Sequence, residues 1–83
     1  MKVNVKYFAS IRESLGLGHE PLQTQASTLG ALRDELIARG AAYADSLARG
    51  RAVRVALNQV MSDETAPLID GCEVAFFPPV TGG

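Results

Sequence analysis

Residues 2–8 read Lys-Val-Asn-Val-Lys-Tyr-Phe, and this stretch predicts the first strand of a sheet with one buried face. Val3, Val5 and Tyr7 share one face of such a strand, while lysine and asparagine side chains occupy the other. A two-residue period of this kind is typical of a half-buried strand. We therefore expect the hydrophobic core to lie on the valine side.

A short helix and a second strand are predicted directly after this segment. Ser10, followed three residues later by Glu13, fits a capping box, and Gly16 can end the helix that it would begin. Residues 20–25 can form a second strand that pairs with the first. Pro21 would then have to lie at the start of that strand or at an edge of the sheet, because proline cannot donate a ladder hydrogen bond.

The main helix is predicted to begin after Ser27 or Thr28, either of which can cap it, and to end at Gly40. Its apolar residues recur at spacings of three and four, which indicates one buried face: Leu29, Leu32, Leu36 and Ile37. The charged residues of the same segment are expected to point outward: Arg33, Asp34 and Arg39. Residues 41–50 then suggest a further helical piece or a compact loop.

The second half of the chain predicts three more strands. Residues 53–57 alternate as a third strand, residues 58–59 turn the chain, and residues 60–61 begin a short fourth strand. A turn over residues 67–71 leads into a last strand over residues 72–77. The fold class is therefore α+β, with a mixed sheet of four or five strands packed on one main helix.

Composition excludes several classes of protein. The 83 residues suit one domain, with 47% hydrophobic residues, 20% charged residues and a net charge of −1. Lysine and arginine are scattered among the acidic residues, so we expect no nucleic-acid partner. No apolar run approaches the roughly 20 residues of a membrane helix, and no signal-peptide block precedes the first strand, so we expect a cytoplasmic protein with no membrane partner.

Residues that often carry catalysis or metals have simpler interpretations here. His19 lies alone in a predicted loop and is expected to be a surface histidine. Cys72 is the one cysteine, so it forms no internal disulfide, and its setting after a turn suits a small packed residue. A phosphate-binding loop follows a strand and precedes a helix. Gly16 and Gly18 instead follow a predicted helix, so they do not fit such a loop. We expect no catalytic site, metal or bound cofactor on this chain.

The end of the sequence, Pro78-Pro79-Val80-Thr81-Gly82-Gly83, is the strongest candidate for a functional segment. The prolines favour an extended chain, and six extended residues reach roughly 20 Å. Glycine lets a backbone pass where a Cβ would not fit, so the terminal carboxylate can enter a narrow channel in another protein. We expect a domain over residues 1–77 and a flexible arm over residues 78–83. A merely frayed end is the alternative that this segment alone leaves open.

Two phenylalanines are expected to lie on the polar side of the sheet. If Tyr7 faces the core, Phe8 faces away from it, and the same alternation turns Phe77 outward. Met61 can join them, with Arg12 at the rim. Exposed apolar side chains of these types mark contact surfaces between proteins. The alternative is a core that curls round to cover Phe8 or Phe77.

Three segments together resemble a known family, the small subunits of molybdopterin synthase: residues 7–13 (Tyr-Phe-Ala-Ser-Ile-Arg-Glu), 58–59 (Asn-Gln) and 70–83 (Asp-Gly-Cys-Glu-Val-Ala-Phe-Phe-Pro-Pro-Val-Thr-Gly-Gly). The resemblance spans the whole chain and implies the β-grasp fold shared with ubiquitin and with the thiamine-pathway sulfur carrier. The terminal glycines do not separate these relatives, whereas the Phe-Phe-Pro-Pro-Val-Thr run resembles the molybdenum-cofactor branch. Cys72 departs from that pattern, at a position often polar in relatives.

The resemblance implies a sulfur carrier that works through its terminus. An adenylating enzyme would use ATP to activate Gly83, a sulfur donor would make the thiocarboxylate, and the large subunit would pass the sulfur to a cyclic pyranopterin precursor. Two small subunits would bind a large-subunit dimer. The inserted arm would be Val80, Thr81, Gly82 and Gly83. The partner interface would comprise Phe8, Arg12, Met61, Phe77, Pro78 and Pro79; we call Phe8, Met61 and Phe77 the docking patch. The alternatives are a carrier for thiamine synthesis, a protein modifier, and a plain binding module.

Overall fold

The structure is a computed structural model, and it describes residues 1–79. Predictions that concern Val80, Thr81, Gly82 and Gly83, including the division into domain and arm, lie outside these residues. Eight elements follow one another along the chain: β1 (Lys2–Tyr7), α1 (Ala9–Leu15), β2 (His19–Gln23), α2 (Leu29–Ile37), α3 (Ala41–Leu47), β3 (Arg54–Leu57), β4 (Val60–Ser62) and β5 (Glu73–Phe77).

The five strands form one mixed sheet in the order β2-β1-β5-β3-β4. β1 and β5 are parallel, with Val5 opposite Val74, and the other neighbouring pairs are antiparallel. Pro21 lies within β2, opposite Asn4. Because β2 is an edge strand, proline is tolerated there, as the sequence predicts.

The core fills the space between one face of the sheet and α2. Val3, Val5 and Tyr7 of β1 are at most 1% exposed, so the predicted buried face of this strand is confirmed. The other large side chains that are fully buried come from β5 and the helices: Val74, Phe76, Leu29, Leu32, Leu36 and Leu47. Burying each contributes about 1.5–3 kcal/mol. The predicted α+β, β-grasp architecture is confirmed.

The boundaries of α2 follow from its capping. Thr28 is the N-cap, and its Oγ1 accepts a hydrogen bond from the Ala31 N–H at 3.1 Å. The helix ends at Ile37, so the prediction that it continues to Gly40 is wrong. Gly40 instead immediately precedes α3, so it separates two helices.

The predicted capping box at Ser10 and Glu13 is also wrong. α1 begins at Ala9, with Phe8 as N-cap and no side-chain cap, so Ser10 already lies inside the first turn. The predicted end of this helix at Gly16 is confirmed. Gly16 has φ 75°, and its N–H donates to the Arg12 carbonyl oxygen at 2.9 Å. A left-handed residue of this kind is the usual position for glycine after a helix.

Arg33 is buried, although the helical pattern predicts that it points outward. Its side chain is 4% exposed. Nε donates to the Leu47 carbonyl oxygen and Nη2 to that of Ala48, both at 2.7 Å, and Nη1 donates to Glu64 Oε2. The end of α3 and the loop after it fold over this side of α2 and present carbonyl groups there. A long-range arrangement of this kind leaves no local periodic signal.

Candidate functional site

The sheet face opposite the helices has a small, apolar centre. Ala75 of β5 and Ala56 of β3 are paired directly across the two strands. Lys6 flanks Ala75 on β1, and Met61 flanks Ala56 on β4. Both alanines are at most 7% exposed because longer side chains surround them. This row gives the outer face a centre of two small side chains between a lysine and a methionine.

Phe8 and Phe77 lie together at one end of this face. Their ring centroids are 6.3 Å apart and the planes meet at 88°, an edge-to-face contact. The Phe8 N–H donates to the Phe76 carbonyl oxygen at 3.2 Å, which fixes Phe8 beside the end of β5. Phe8 remains 45% exposed. The described core does not close over it.

Met61 reaches the same face through a tight turn. Asn58 and Gln59 have positive φ values of 50° and 69°, which reverse the chain between β3 and β4. Met61 is 51% exposed. It lines a groove of about 230 Å³ with Phe77, Pro79 and Arg54. Two members of the docking patch therefore share a concave surface with the start of the predicted arm.

The remaining predicted interface residues are Pro78, Pro79 and Arg12, and of these only Pro79 lines the groove. Pro78 and Pro79 follow β5 and are partly buried. Arg12 is exposed, and its side chain lies against the loop after α1, where a Cβ built on Gly18 would meet Arg12 Nε at 3.2 Å. Arg12 thus lines the α1 side and not the groove. The predicted arm residues 80–83 lie outside the described part of the chain.

Arg54 is a groove residue that the sequence analysis missed. It lies directly opposite Phe77 on the antiparallel pair β3 and β5. The signal that could have found it is strand alternation, because Val55 faces the core and its neighbour therefore faces outward.

A hydrogen-bonded cluster supports the patch from the core side. Glu20 Oε2 accepts from the Tyr7 hydroxyl at 2.8 Å and from the Tyr43 hydroxyl at 2.7 Å, and Arg39 Nη1 donates to Glu20 Oε1 at 3.1 Å. Tyr7 also stacks on Phe76, with centroids 6.3 Å apart. This cluster, which the sequence analysis also missed, holds β1, β2 and α3 together behind the last residues of β5.

Burial and the hydrogen bonds within this cluster shift the pKa values of Tyr7 and Glu20. Burial raises the pKa of the Tyr7 hydroxyl, and the hydrogen bond to Glu20 and the charge of Glu20 raise it further. Burial alone would raise the pKa of Glu20. The hydrogen bonds from Tyr43, Tyr7 and Arg39 outweigh that effect and hold the Glu20 pKa below its usual value. Glu20 is thus the ionised acceptor of a structural cluster.

The groups that could perform chemistry are not assembled on the outer face. Cys72 is 4% exposed within the core, as a small packed residue, and His19 is exposed at the start of β2. Residues 1–79 contain no group of three or more His, Cys, Asp or Glu side chains placed to hold a metal ion. In the same residues, no helix is long and apolar enough to cross a membrane. Among the described residues, the groove offers apolar contact area and one cation, Arg54, which suits binding to a protein surface.

Comparison with known proteins gives a consistent set of matches. The family model described as ThiS family matches residues 5–83. Over 81 residues the chain is 40% identical to the protein of Escherichia coli named molybdopterin synthase sulfur carrier subunit, covering 98% of this chain and 99% of that one. The protein of the same name from Haemophilus influenzae is 38% identical over 81 residues, with the same coverage.

A solved complex is also similar. It contains subunits 1 and 2 of the molybdopterin-converting factor from Helicobacter pylori, and the matched chain is 30% identical with a TM-score of 0.70. The match covers 100% of both chains. These findings confirm the family resemblance predicted from the sequence.

Proposed function

Because this chain belongs to the ThiS family, we propose that it is the sulfur carrier subunit of a molybdopterin synthase. The observation that carries the proposal is the position of the docking patch directly before the segment that ends in Gly82-Gly83. Phe77 contacts Phe8 and shares a groove with Met61 and Pro79. A partner that binds this groove is therefore placed to receive the residues that follow Pro79. The names of the relatives at 38–40% identity support the same function.

The chemistry of the carrier begins at the terminal carboxylate of Gly83. Such a group has a pKa near 3.3–3.7 and is ionised at neutral pH, so a sulfur nucleophile attacks it poorly. An adenylating enzyme transfers AMP from ATP to this carboxylate and gives it a good leaving group. A sulfur donor then displaces AMP and leaves a thiocarboxylate on Gly83.

The large subunit of the synthase uses that thiocarboxylate. The arm, Val80 to Gly83, enters the active site of the large subunit and donates sulfur to a cyclic pyranopterin precursor, which builds the dithiolene of molybdopterin. Two small subunits bind a dimer of large subunits. Each transfer consumes the sulfur of one arm, so the carrier dissociates to be recharged. Gly83 is a reactant, and the carrier itself binds no cofactor and contributes no acid or base.

The docking patch and the arm have separable roles in this proposal. Phe8, Met61 and Phe77, with Pro78 and Pro79, supply apolar contact area, and Arg12 extends the contact on the α1 side. The two terminal glycines supply a tip without side chains that can pass through a narrow channel.

Deletion of Gly82 and Gly83 tests this separation. We expect the shortened chain to bind the large subunit with nearly native affinity by calorimetry and to support no sulfur transfer. Substitution of Thr81 by Ser is the matched control, since it keeps the chain length and the terminal glycines. Product formation by the shortened chain would overturn the carrier role.

A carrier for thiamine synthesis would use the same terminal chemistry, and the ThiS family match alone does not separate the two pathways. Complementation decides between them. We expect the gene to restore molybdoenzyme activity to cells that lack their own molybdopterin synthase small subunit. Rescue of a thiamine-requiring strain and failure in the molybdenum-cofactor strain would favour the thiamine carrier.

A further inference from the structure

Arg54 places a positive charge inside an apolar groove. It lies opposite Phe77 in the β3–β5 register, and together with Met61, Phe77 and Pro79 it lines the groove of about 230 Å³. Its side chain is exposed. The other lining side chains consist mostly of carbon, and among the described residues the guanidinium is the one cationic group that lines this groove.

The carboxylates nearest to this groove already have partners. Asp63 accepts hydrogen bonds from the N–H and hydroxyl of Thr65. Glu64 accepts from Arg33 and Arg49. On the same sheet face, Glu73 pairs with Lys6 at 3.3 Å.

Arg54 itself pairs with neither Asp63 nor Glu64, although it lines a neighbouring cavity with both of them. Among residues 1–79, it takes part in no ion pair within 4 Å. Within residues 1–79, the guanidinium therefore has only water to compensate its charge as long as the groove is open.

Binding of a partner to the groove changes the solvation of Arg54. A partner that covers Phe77, Met61 and Pro79 also removes water from Arg54. A buried charge without a partner strongly disfavours association, whereas a carboxylate that meets arginine in a bidentate pair compensates for the lost water and fixes the orientation. The binding protein must therefore supply an acceptor at this position, or the complex would be weakened.

We propose that Arg54 is a specificity-determining residue of the docking surface, and that the protein bound there presents an aspartate or glutamate side chain to it. This inference rests on the proposed function, so the partner is the large subunit of molybdopterin synthase from the same organism. The apolar contacts of the docking patch contribute most of the buried area. The ion pair between Arg54 and the partner's carboxylate selects the cognate large subunit over others with a similar apolar surface.

Calorimetry with the cognate large subunit tests the proposal. Removing the charge leaves the partner's carboxylate buried and unpaired, so we expect Arg54→Gln and Arg54→Leu to weaken binding by at least about tenfold. Arg54→Glu should weaken it further through repulsion. Arg54→Lys keeps the charge and should fall between the native chain and Arg54→Gln.

Salt dependence separates a charge pair from lost packing. The native affinity should fall more steeply with added salt than that of Arg54→Gln. Arg51→Gln is the matched control, since Arg51 is an exposed arginine outside the groove. It should bind with native affinity. Thermal unfolding of each variant should match that of the native chain, because Arg54 has no ion pair to lose among residues 1–79.

Native or tighter binding by Arg54→Leu, or equal salt dependence of the native chain and Arg54→Gln, would overturn the proposal. In that case only the aliphatic part of the Arg54 side chain contacts the partner, and the guanidinium stays in water in the complex. These outcomes leave the proposed function standing, because sulfur transfer by the native chain is measured separately. If the native chain itself neither binds the large subunit nor transfers sulfur, the proposed function fails, and the Arg54 inference fails with it.

Discussion

Tyr7 and Phe76 stack in the core with ring centroids 6.3 Å apart, and the residue after each, Phe8 and Phe77, meets its counterpart at the same distance on the outer side. The two contacts arise because β1 and β5 are parallel and in register at these positions. Alternation along two parallel strands thus places one aromatic pair inside and the next outside. The Phe8–Phe77 pair of the docking patch is consequently adjacent in sequence to the stacked core pair Tyr7–Phe76.

Substitution of Phe77 by Ala should weaken binding of the large subunit while leaving the domain folded. Loss of one large apolar contact corresponds to about 1.5–3 kcal/mol of binding free energy if the ring is buried in the complex. Calorimetry measures the affinity, and circular dichroism checks the fold. Ile69→Ala is a matched control, since Ile69 is 62% exposed in the turn before β5, near the opposite end of β1. Unchanged affinity for Phe77→Ala would contradict the docking patch.

Substitution of Tyr7 by Phe should lower the free energy of unfolding by about 0.5–1.5 kcal/mol, the usual contribution of one hydrogen bond. The change removes the hydroxyl that donates to Glu20 and keeps the ring that stacks on Phe76. Urea unfolding at neutral pH measures this loss. The Tyr43→Phe variant removes a second donor to the same carboxylate. If both single variants were as stable as the native chain, the cluster would not stabilise the fold.

Acid should destabilise the domain through Glu20. The Glu20 pKa in the folded state is lower than the usual value of a glutamate, so the native state binds the proton more weakly than the unfolded state. The stability that Glu20 contributes is present above the unfolded pKa and is lost as the pH falls through the folded pKa.

A series of urea unfolding curves from neutral to acidic pH measures this effect. The native chain should lose more stability on acidification than the Glu20→Gln variant, whose side chain does not titrate. Parallel pH profiles for the two proteins would refute the role of Glu20.

Substitution of Arg33 by Ala should be among the most damaging single changes, at about 3 kcal/mol or more in the free energy of unfolding. It leaves the carbonyl groups of Leu47 and Ala48 without this donor and removes one partner of Glu64. Asp34→Asn, on the same helix as Arg33, removes the charge from an exposed ion pair with Arg49 of the loop after α3 and should cost about 0–1 kcal/mol. Equal stability of the two variants in urea would contradict the buried role of Arg33.

The sequence predicts what depends on local pattern and misses what depends on contacts between distant segments. Alternation in residues 2–8 correctly predicts which face of β1 is buried, and the spacing of leucines predicts the buried face of α2. Ser10 carries the right local signal for a cap, yet the helix begins one residue before it. Helix boundaries depend on the preceding strand as well as on the capping residue.

The candidate site shows the same limit. Strand alternation is sufficient to predict that Phe8 and Phe77 leave the core, and it also indicates that Arg54 faces outward. That Arg54 lies beside Phe77 depends on the strand order, and the surroundings of Glu20 depend on the packing of α3, so neither could be predicted from the sequence. Arg33 is misplaced for a related reason, since its partners lie 14–31 residues further along the chain. Periodicity within one helix contains no information about such partners.

The state of Gly83 tests the central claim most directly. Intact-mass analysis, with fragmentation to locate any change, is performed after the purified chain is incubated with the adenylating enzyme, ATP and a sulfur donor. We predict that one oxygen is replaced by sulfur at Gly83, and that omission of ATP abolishes the change. An unaltered Gly83 under complete conditions, or sulfur found only on Cys72, would contradict the account.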